Sequence, residues 1–564
     1  MDVYPQWPNL AAMMLDRARE WPNKPMLRWY RGGTWHSMTW GAFGTQAASV
    51  ARALRAAGVS AGDRVVIVSE NRPEYPIAET ALLAIRAVPV PAYATNTVDD
   101  HAHVLRDCGA RAAICANAAL AGKVAKAGPL DLLVTLDGST VDGVRCLDWA
   151  GLAGSTEPFA DIAAEASIIP SGALACLIYT SGTGGVPKGV MLPHRAILSN
   201  CRGAFDLMRP LGFKDEVYLS FLPLSHSYEH TAGQFFLLSV GTEVVYSRGV
   251  EHLAADMTTV QPTIMTMVPR ILEVIRARIL AQVAREPAWR QRLFHAAIEI
   301  GRKRAEGEWR NPLEWLIDPL LDRMVRRKVM LRFGGRCRAA MSGGARLEPE
   351  VGRFFLGLGF AMLQGYGQTE AGPVISANTP GASRIESVGR PLKGVEVRIA
   401  ADGEICVRGD LVMDGYWGRP ADTAAAIQDG WLHTGDIGHL DAEGFLTITD
   451  RKKDMIVLSG GDNVSPARIE GMLIAQPAVA QAVVFGEGQA GLSALLVAAE
   501  GFDKAAVDAV VAQVNKRLSV TERVRKHAVV PPFTLEEGTM TATQKVRRHI
   551  VMAQYKDVVA GLLT

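Results

Sequence analysis

The feature that most limits what this chain can become is a repeated change of hydrophobic period between residues 44 and 115. Apolar residues recur at helical spacing over 44–57, Gly58 supplies a helix stop, and 64–69 (RVVIVS) is a short β-branched run. The alternation then repeats: 77–87 reads as helix, 88–94 as extended chain, 99–107 as helix and 112–115 as a short strand. Apolar strands separated by helices predict a parallel sheet covered by those helices. Between 251 and 332 the chain becomes long, helical and basic, with clusters at 302–304 and 326–328. A solvated face is the expected reading of those clusters, and adhesion to an anionic membrane the lesser one. Beyond Glu396 come short strands with Gly-rich turns (VEVRIAADGEICVRG), a turn-rich stretch to Asp450, and then helices alternating with VAQAVVFGE and SALLVAAE. The last 110 or so residues predict a small α/β module. No internal repeat is visible.

The 564 residues exceed one ordinary core and predict several domain-sized units. Lys and Arg total 60 against 58 Asp and Glu, a net charge of +2, so no global field recruits nucleic acid and any charged partner is met locally. At 48% hydrophobic and 21% charged residues the composition is globular rather than disordered. Seven scattered cysteines form no CxxC pair, which predicts a reducing, cytoplasmic setting without a zinc or redox site. The N-terminal stretch has acidic residues and prolines where a secretory leader needs a basic start and an unbroken apolar run. The most apolar stretch, 78–93, is interrupted by Arg86 and two prolines, so membrane contact is expected to be peripheral at most.

Residues 178–190, IYTSGTGGVPKGV, follow a strand-like LACLIY and gather hydroxyls, glycines and one lysine in a single loop. Glycines let backbone N–H groups approach an anion, Thr180, Ser181 and Thr183 donate hydroxyl hydrogen bonds, and Lys188 adds a point charge. A Walker A loop needs a Ser or Thr after its lysine; here Gly189 follows, so this is a different phosphate loop. On composition alone an ordinary surface loop accounts for it equally well.

With this loop the sequence resembles the AMP-forming adenylating superfamily (acyl-CoA synthetases, luciferases and peptide-synthetase adenylation domains), whose phosphate loop reads YTSGTTGxPKGV. The resemblance covers nearly the whole chain, because later motifs keep the family's order. They are SGGA at 342–345, GYGQTE at 365–370, TGD at 434–436, DRKKD at 450–454, SGGDNV at 459–464 and the closing TATQK at 541–545. One departure is Gly184, where the family usually has a second threonine; one phosphate hydrogen bond is lost and the loop shape is expected to persist.

The resemblance implies a large N-terminal region of layered α/β subdomains, residues 1–451, and a small mobile C-terminal α/β domain, 452–564, with the active site between them. It implies ATP, Mg²⁺ and CoA as reactants and cofactor. Thr180, Ser181, Gly182, Thr183, Gly184 and Lys188 would cradle the phosphates, with Gly343 and Gly344 also at the nucleotide. Tyr366 would stack on adenine, Thr369 bond the α-phosphate, and Glu370 hold magnesium; outside the motif, Tyr366 would read as a core tyrosine with a satisfied hydroxyl. Asp436 and Arg451 would contact the ribose. Lys545 would reach the attacking carboxylate and the α-phosphate, making it catalytic with Thr369 and Glu370. Lys453, two residues beyond Arg451, would be the hinge, and Gly460 and Gly461 would line the pantetheine tunnel. Joining a carboxylate to a phosphate brings two anions together, and cations with preorganised donors offset that repulsion.

Four segments resemble the long-chain fatty acyl branch: PAYATNT at 91–97, LPLSH at 222–226 with Glu229, VPR at 268–270, and ATQK at 542–545. No carboxylate is found to hold an α-amine, which suits a hydrophobic acid. The reaction implied is fatty acid, ATP and CoA giving acyl-CoA, AMP and pyrophosphate; loading of a carrier protein and a CoA ligase for another hydrophobic acid are the alternatives. A serine-hydrolase reading of Gly58-Val-Ser60-Ala-Gly62 fails on context, since Ser60 follows a helix and precedes a strand. A non-catalytic nucleotide-binding protein on the same fold would be expected to lack Lys545, Glu370 or Lys188.

Overall fold

The alternation between residues 44 and 148 builds a five-stranded sheet. The computed structural model describes residues 3–180, 186–460, 462–540 and 546–563. In the first sheet the strands run in the order Val88–Ala92, Arg64–Val68, Ala112–Cys115, Leu132–Thr135 and Cys146–Asp148, every pair parallel. The helix Trp40–Ala56 precedes it and ends at Gly58, whose φ of 102° only glycine takes readily. The helix Val98–Cys108 starts with a Thr97–Asp100 capping box and stops at left-handed Gly109. Ser60 sits in the turn between helix and strand, its N–H donating to Asp63, with no strand-to-helix elbow around it.

A second, nine-stranded sheet carries the site. Its central strands Val217–Ser220, Ile264–Met267, Ala339–Ser342 and Ala361–Gly367 are parallel neighbours. Parallel strands place all their carboxyl ends on one edge, where open α/β sheets bind ligands. Those ends run into the segments 221–228, 343–344 and 368–370, so three of the motif regions emerge side by side. Near this edge Glu229, fully buried, accepts hydrogen bonds from Tyr218, Ser220 and Thr266, tying two strands to the helical turn Glu229–Phe236.

Leu174–Thr180 and Lys188–Pro193 pair as an antiparallel hairpin, with Thr180 opposite Lys188. Gly415–Tyr416 adds a third strand, pairing with Val190 and Met191. VEVRIAADGEICVRG forms the antiparallel pair Glu396–Ile399 and Glu404–Arg408, which joins Trp431–Leu440 and Leu446–Arg451. VAQAVVFGE and SALLVAAE become the antiparallel strands Val479–Phe485 and Leu492–Ala498, flanked by Val524–Val529. This C-terminal part has its own buried cluster around Ile469, Leu473, Leu496 and Val507, and it touches the rest of the chain through polar contacts: Arg270 donates to the Ala480 carbonyl at 2.7 Å and Arg276 to the Ala475 carbonyl at 3.1 Å.

All seven cysteines are free thiols. Among the described residues no helix is long and apolar enough to cross a membrane.

Candidate active site

A cavity of about 1180 Å³ opens along the carboxyl edge of the second sheet, and residues far apart in sequence line it together. Thr180 and Lys188 come from the hairpin, Gly343 and Gly344 from the turn after Ala339–Ser342, and Tyr366, Thr369 and Glu370 from the end of Ala361–Gly367. Arg451, Lys452 and Lys453 enter from the far side, and Leu535, Glu536, Gly538, Met540 and Arg547 from the C-terminal part. Asp436 stands just behind the wall, bonded to two lining residues. Ser181, Gly182, Thr183, Gly184, Gly461 and Lys545 lie outside the described residues. The lysine's neighbours Met540 and Val546 form a β-bridge, and Met540 and Arg547 both line the cavity. Gly460 is described but is not among the lining residues; its turn is closed by Leu458 N–H on Asp462 O.

Several motif side chains have definite partners. The Tyr366 hydroxyl, on a ring buried in the wall, donates to Asp436 Oδ2 at 2.6 Å; burial, with Asp436 beside it, raises the phenol well above its ordinary value. Arg451 Nε donates to Asp436 Oδ1 at 3.1 Å, so one buried carboxylate orients both a ring and a guanidinium. Thr369 and Ser227 share a hydroxyl hydrogen bond at 2.9 Å. Tyr228 donates to the Met341 carbonyl at 3.1 Å, and its ring lies over Gly343, where a Cβ would approach within 3.1 Å. Gly344, also in the cavity lining, has φ near 81°, a left-handed conformation that favours glycine.

Two partners escaped the sequence reading. Lys188 Nζ pairs with Asp422 Oδ1 at 2.9 Å and sits 4.9 Å from the Tyr416 ring centroid. The Tyr416 hydroxyl donates to Glu370 Oε1 at 2.9 Å. Tyr416 reaches this place only because its two-residue strand pairs with the strand that Lys188 begins, a long-range pairing with no local pattern to announce it. Asn71 is a third: its amide bonds the Leu222 carbonyl and accepts from Leu224 N–H, fixing the segment that leads to His226, Ser227 and Tyr228.

For a metal, Glu370 is the motif carboxylate that lines the cavity, where Asp100, Glu404, Asp422 and Glu536 also stand. No group of three or more His, Cys, Asp or Glu side chains gathers as a metal cluster among the described residues. A single carboxylate completed by phosphate oxygens and water suits magnesium, a hard ion that keeps much of its own hydration.

The chain matches known proteins along nearly its whole length. Residues 14–417 match the family model described as AMP-binding enzyme, and residues 453–563 that of the AMP-binding enzyme C-terminal domain. The Long-chain-fatty-acid--CoA ligase FadD15 of Mycobacterium bovis is 34% identical over 98% of this chain and 97% of its own length. Among solved structures, the anthranilate CoA ligase AuaEII in complex with anthranoyl-AMP superposes with a TM-score of 0.77 at 20% identity, covering 99% of both chains. The O-succinylbenzoate Coenzyme A Synthetase (MenE) from Bacillus subtilis, in complex with ATP and magnesium ion, gives 0.70 at 23% identity, covering 95% of this chain and 98% of that one.

Proposed function

Because the chain belongs to the AMP-binding enzyme family, we propose that it is a fatty acid–CoA ligase that activates a medium- or long-chain acid through an acyl-adenylate. The observation that carries this reading is the single cavity in which Thr180, Lys188, Tyr366, Thr369, Glu370 and Arg451 converge, with Met540 and Arg547 on either side of the closing motif. In the first half-reaction a carboxylate oxygen of the acid bonds to the α-phosphorus and pyrophosphate leaves. Lys188 and Thr180 hold phosphate oxygens, Thr369 donates to the α-phosphate, and Lys545 offsets charge as the two anions meet. Glu370 would hold Mg²⁺, which would supply positive charge against the phosphates. Tyr366 packs against adenine, and Asp436 with Arg451 receives the ribose hydroxyls. In the second half-reaction the CoA thiolate bonds to the acyl carbon and AMP leaves. The reading divides the chain at 451, with 452–564 as a lid turning at Lys453 and Gly460 and Gly461 forming part of the thiol's path.

Support for a hydrophobic acid lies beside the main cavity. Met341 and Val374 line it and also a second, small cavity walled by Ala204, Leu207, Phe236 and Leu392. At about 20 Å³ that space holds roughly one water, so an acyl chain would enter by displacing the apolar side chains around it. The chain works in the cytoplasm, a setting its free thiols suit, with peripheral contact to lipid.

Release of AMP and pyrophosphate measured across acids from acetate to long-chain and aromatic tests the assignment. Each buried methylene adds roughly 0.8 kcal/mol, so kcat/KM is expected to climb about fourfold per carbon until the pocket is full. Acetate or benzoate outperforming dodecanoate would overturn the choice of acid and leave the adenylation chemistry standing.

A further inference from the structure

We propose that the outer face of the helix Pro312–Leu321, with the turn that follows it, docks on an anionic lipid bilayer. This deepens the peripheral-contact part of the reading above and does not depend on which acid the cavity takes.

The helix is fixed from beneath. Asn311 and Glu314 form a capping box at its start. Leu321 and Ile317 join Ala297 and Ile300 in a small cluster against the helix Ala288–Glu306. Asp318, buried, receives Arg310 at 2.9 Å, Arg326 at 2.6 Å and Arg304 at 3.3 Å. The opposite face is apolar and open: Leu313 is 64% exposed, Leu316 77%, Leu320 56% and Met324 40%, at spacings of three, four and four residues. Trp309, just before the helix, is 80% exposed, and Trp315, 62% exposed on a different side of the helix from Leu313, has the Arg310 guanidinium 3.9 Å from its ring centroid. Soluble proteins rarely leave so many large apolar side chains contiguous and bare unless another surface covers them.

The surrounding charge says which surface. Between 309 and 336 lie seven basic residues (Arg310, Arg323, Arg326, Arg327, Lys328, Arg332, Arg336) and three acidic ones (Glu314, Asp318, Asp322), a balance of +4. The three acids are already engaged: Glu314 by Lys303 at 2.8 Å, Asp318 as above, and Asp322 by Arg327 at 3.2 Å. Arg323, Arg327 and Lys328 are exposed directly after the stripe. The other basic cluster of this region is spent internally, with Arg302 on Glu299 and Glu308, Lys303 on Glu314 and Arg304 on Asp318. A second copy of the chain fits the patch poorly, because a two-fold contact would set these cations against one another. An anionic bilayer accepts leucines at its acyl boundary, tryptophans at headgroup level and cations on its phosphates. None of these residues lines the main cavity.

The test uses the full chain and sedimentation with vesicles of phosphatidylcholine alone or mixed with phosphatidylglycerol. The wild type is expected to partition onto the mixed vesicles about tenfold or more over the neutral ones, less at high salt. Leu316→Asp with Leu320→Asp is expected to weaken that partition by about tenfold or more, and Arg323→Glu with Arg327→Glu and Lys328→Glu to abolish the preference for phosphatidylglycerol. Unchanged circular dichroism and Tm in each variant show that the fold is intact. The result does not pass through catalysis, so a wrong acid in the activity assay leaves it unaffected. Equal partition of wild type and variants would overturn the proposal, as would a solution dimer that Leu316→Asp with Leu320→Asp dissolves, which would assign the face to a second copy.

Discussion

Lys188 and Asp422 hold each other with about a third of each side chain in contact with solvent, and the lysine's hydrogen bond keeps the Asp422 carboxyl below its usual range. A phosphate oxygen that recruits Lys188 must displace this carboxylate. Half-exposed pairs contribute at most about 1 kcal/mol, so Asp422→Asn is expected to lower KM for ATP by up to about fivefold with kcat little changed. A raised KM in pyrophosphate exchange would mean that Asp422 aims the lysine rather than competing for it. Glu229 is a different kind of carboxylate. Buried completely, it is pushed up to about 7 despite donors at Tyr218, Ser220 and Thr266. Between the ordinary carboxylate range and pH 7 the folded chain keeps a proton that the unfolded chain has released, so this group's contribution to stability falls as pH rises through that window. Glu229→Gln removes the dependence. The stability of wild type minus variant is expected to drop by up to roughly 3 kcal/mol from about pH 5 to about pH 8 in denaturant unfolding. Taking the difference cancels buried His101 and His194, each pushed down to about 4 and acting in the opposite sense. A difference that is flat with pH would refute the role given to Glu229.

Elements differ in how openly the sequence writes them. The parallel strands at 64–68 and 112–115 are legible because burial on both faces demands unbroken apolar runs, and helix ends at Gly58 and Gly109 because a left-handed residue is needed there. The predicted extended run at 88–94 ends at Ala92, and the helix expected over 44–57 begins four residues earlier, at Trp40, capped by Thr39. Gly415–Tyr416 was illegible, since a two-residue strand has no period and its position depends on a partner more than 200 residues away. The motif residues were found because chemistry restricts their type, whereas Asp422 and Tyr416 serve those residues and could be other polar groups. The segment 535–547 shows both sides: its closing lysine is announced by motif, but that Met540 and Arg547 reach the cavity wall is known only from the fold. If Lys545 acts at the α-phosphate alone, Lys545→Ala is expected to cost several kcal/mol in acyl-adenylate formation and little in thioester formation from supplied acyl-AMP. Near wild-type pyrophosphate exchange in that variant would remove Lys545 from the mechanism.

The molecule as a whole is a large body and a small one sharing one cavity. Where they join, Lys452 N–H donates to the Gly435 carbonyl, and Asp454 and Met455 N–H both donate to the Arg451 carbonyl, closing a turn with Lys453 inside it. If that turn is a hinge, backbone freedom matters more than the lysine side chain. Proline at 453 fixes φ near −65° and should hold the pose it permits. Lys453→Pro is expected to keep fatty-acid-dependent pyrophosphate exchange while losing most transfer to CoA, and Lys453→Ala to resemble wild type in both. Equal loss of both half-reactions, with circular dichroism unchanged, would point to a damaged Arg451 site. The grip that Arg270 and Arg276 take on the small body has a further consequence. Both arginines bind main-chain carbonyls, at Ala480 and Ala475, and the ion pair of Arg517 with Glu350, also between the two bodies, is exposed and weak. Every amino acid offers the same carbonyl, so natural selection could rewrite the surface of the small body freely without loosening its seat, and a small body grafted from a distant homologue would find the same two handholds.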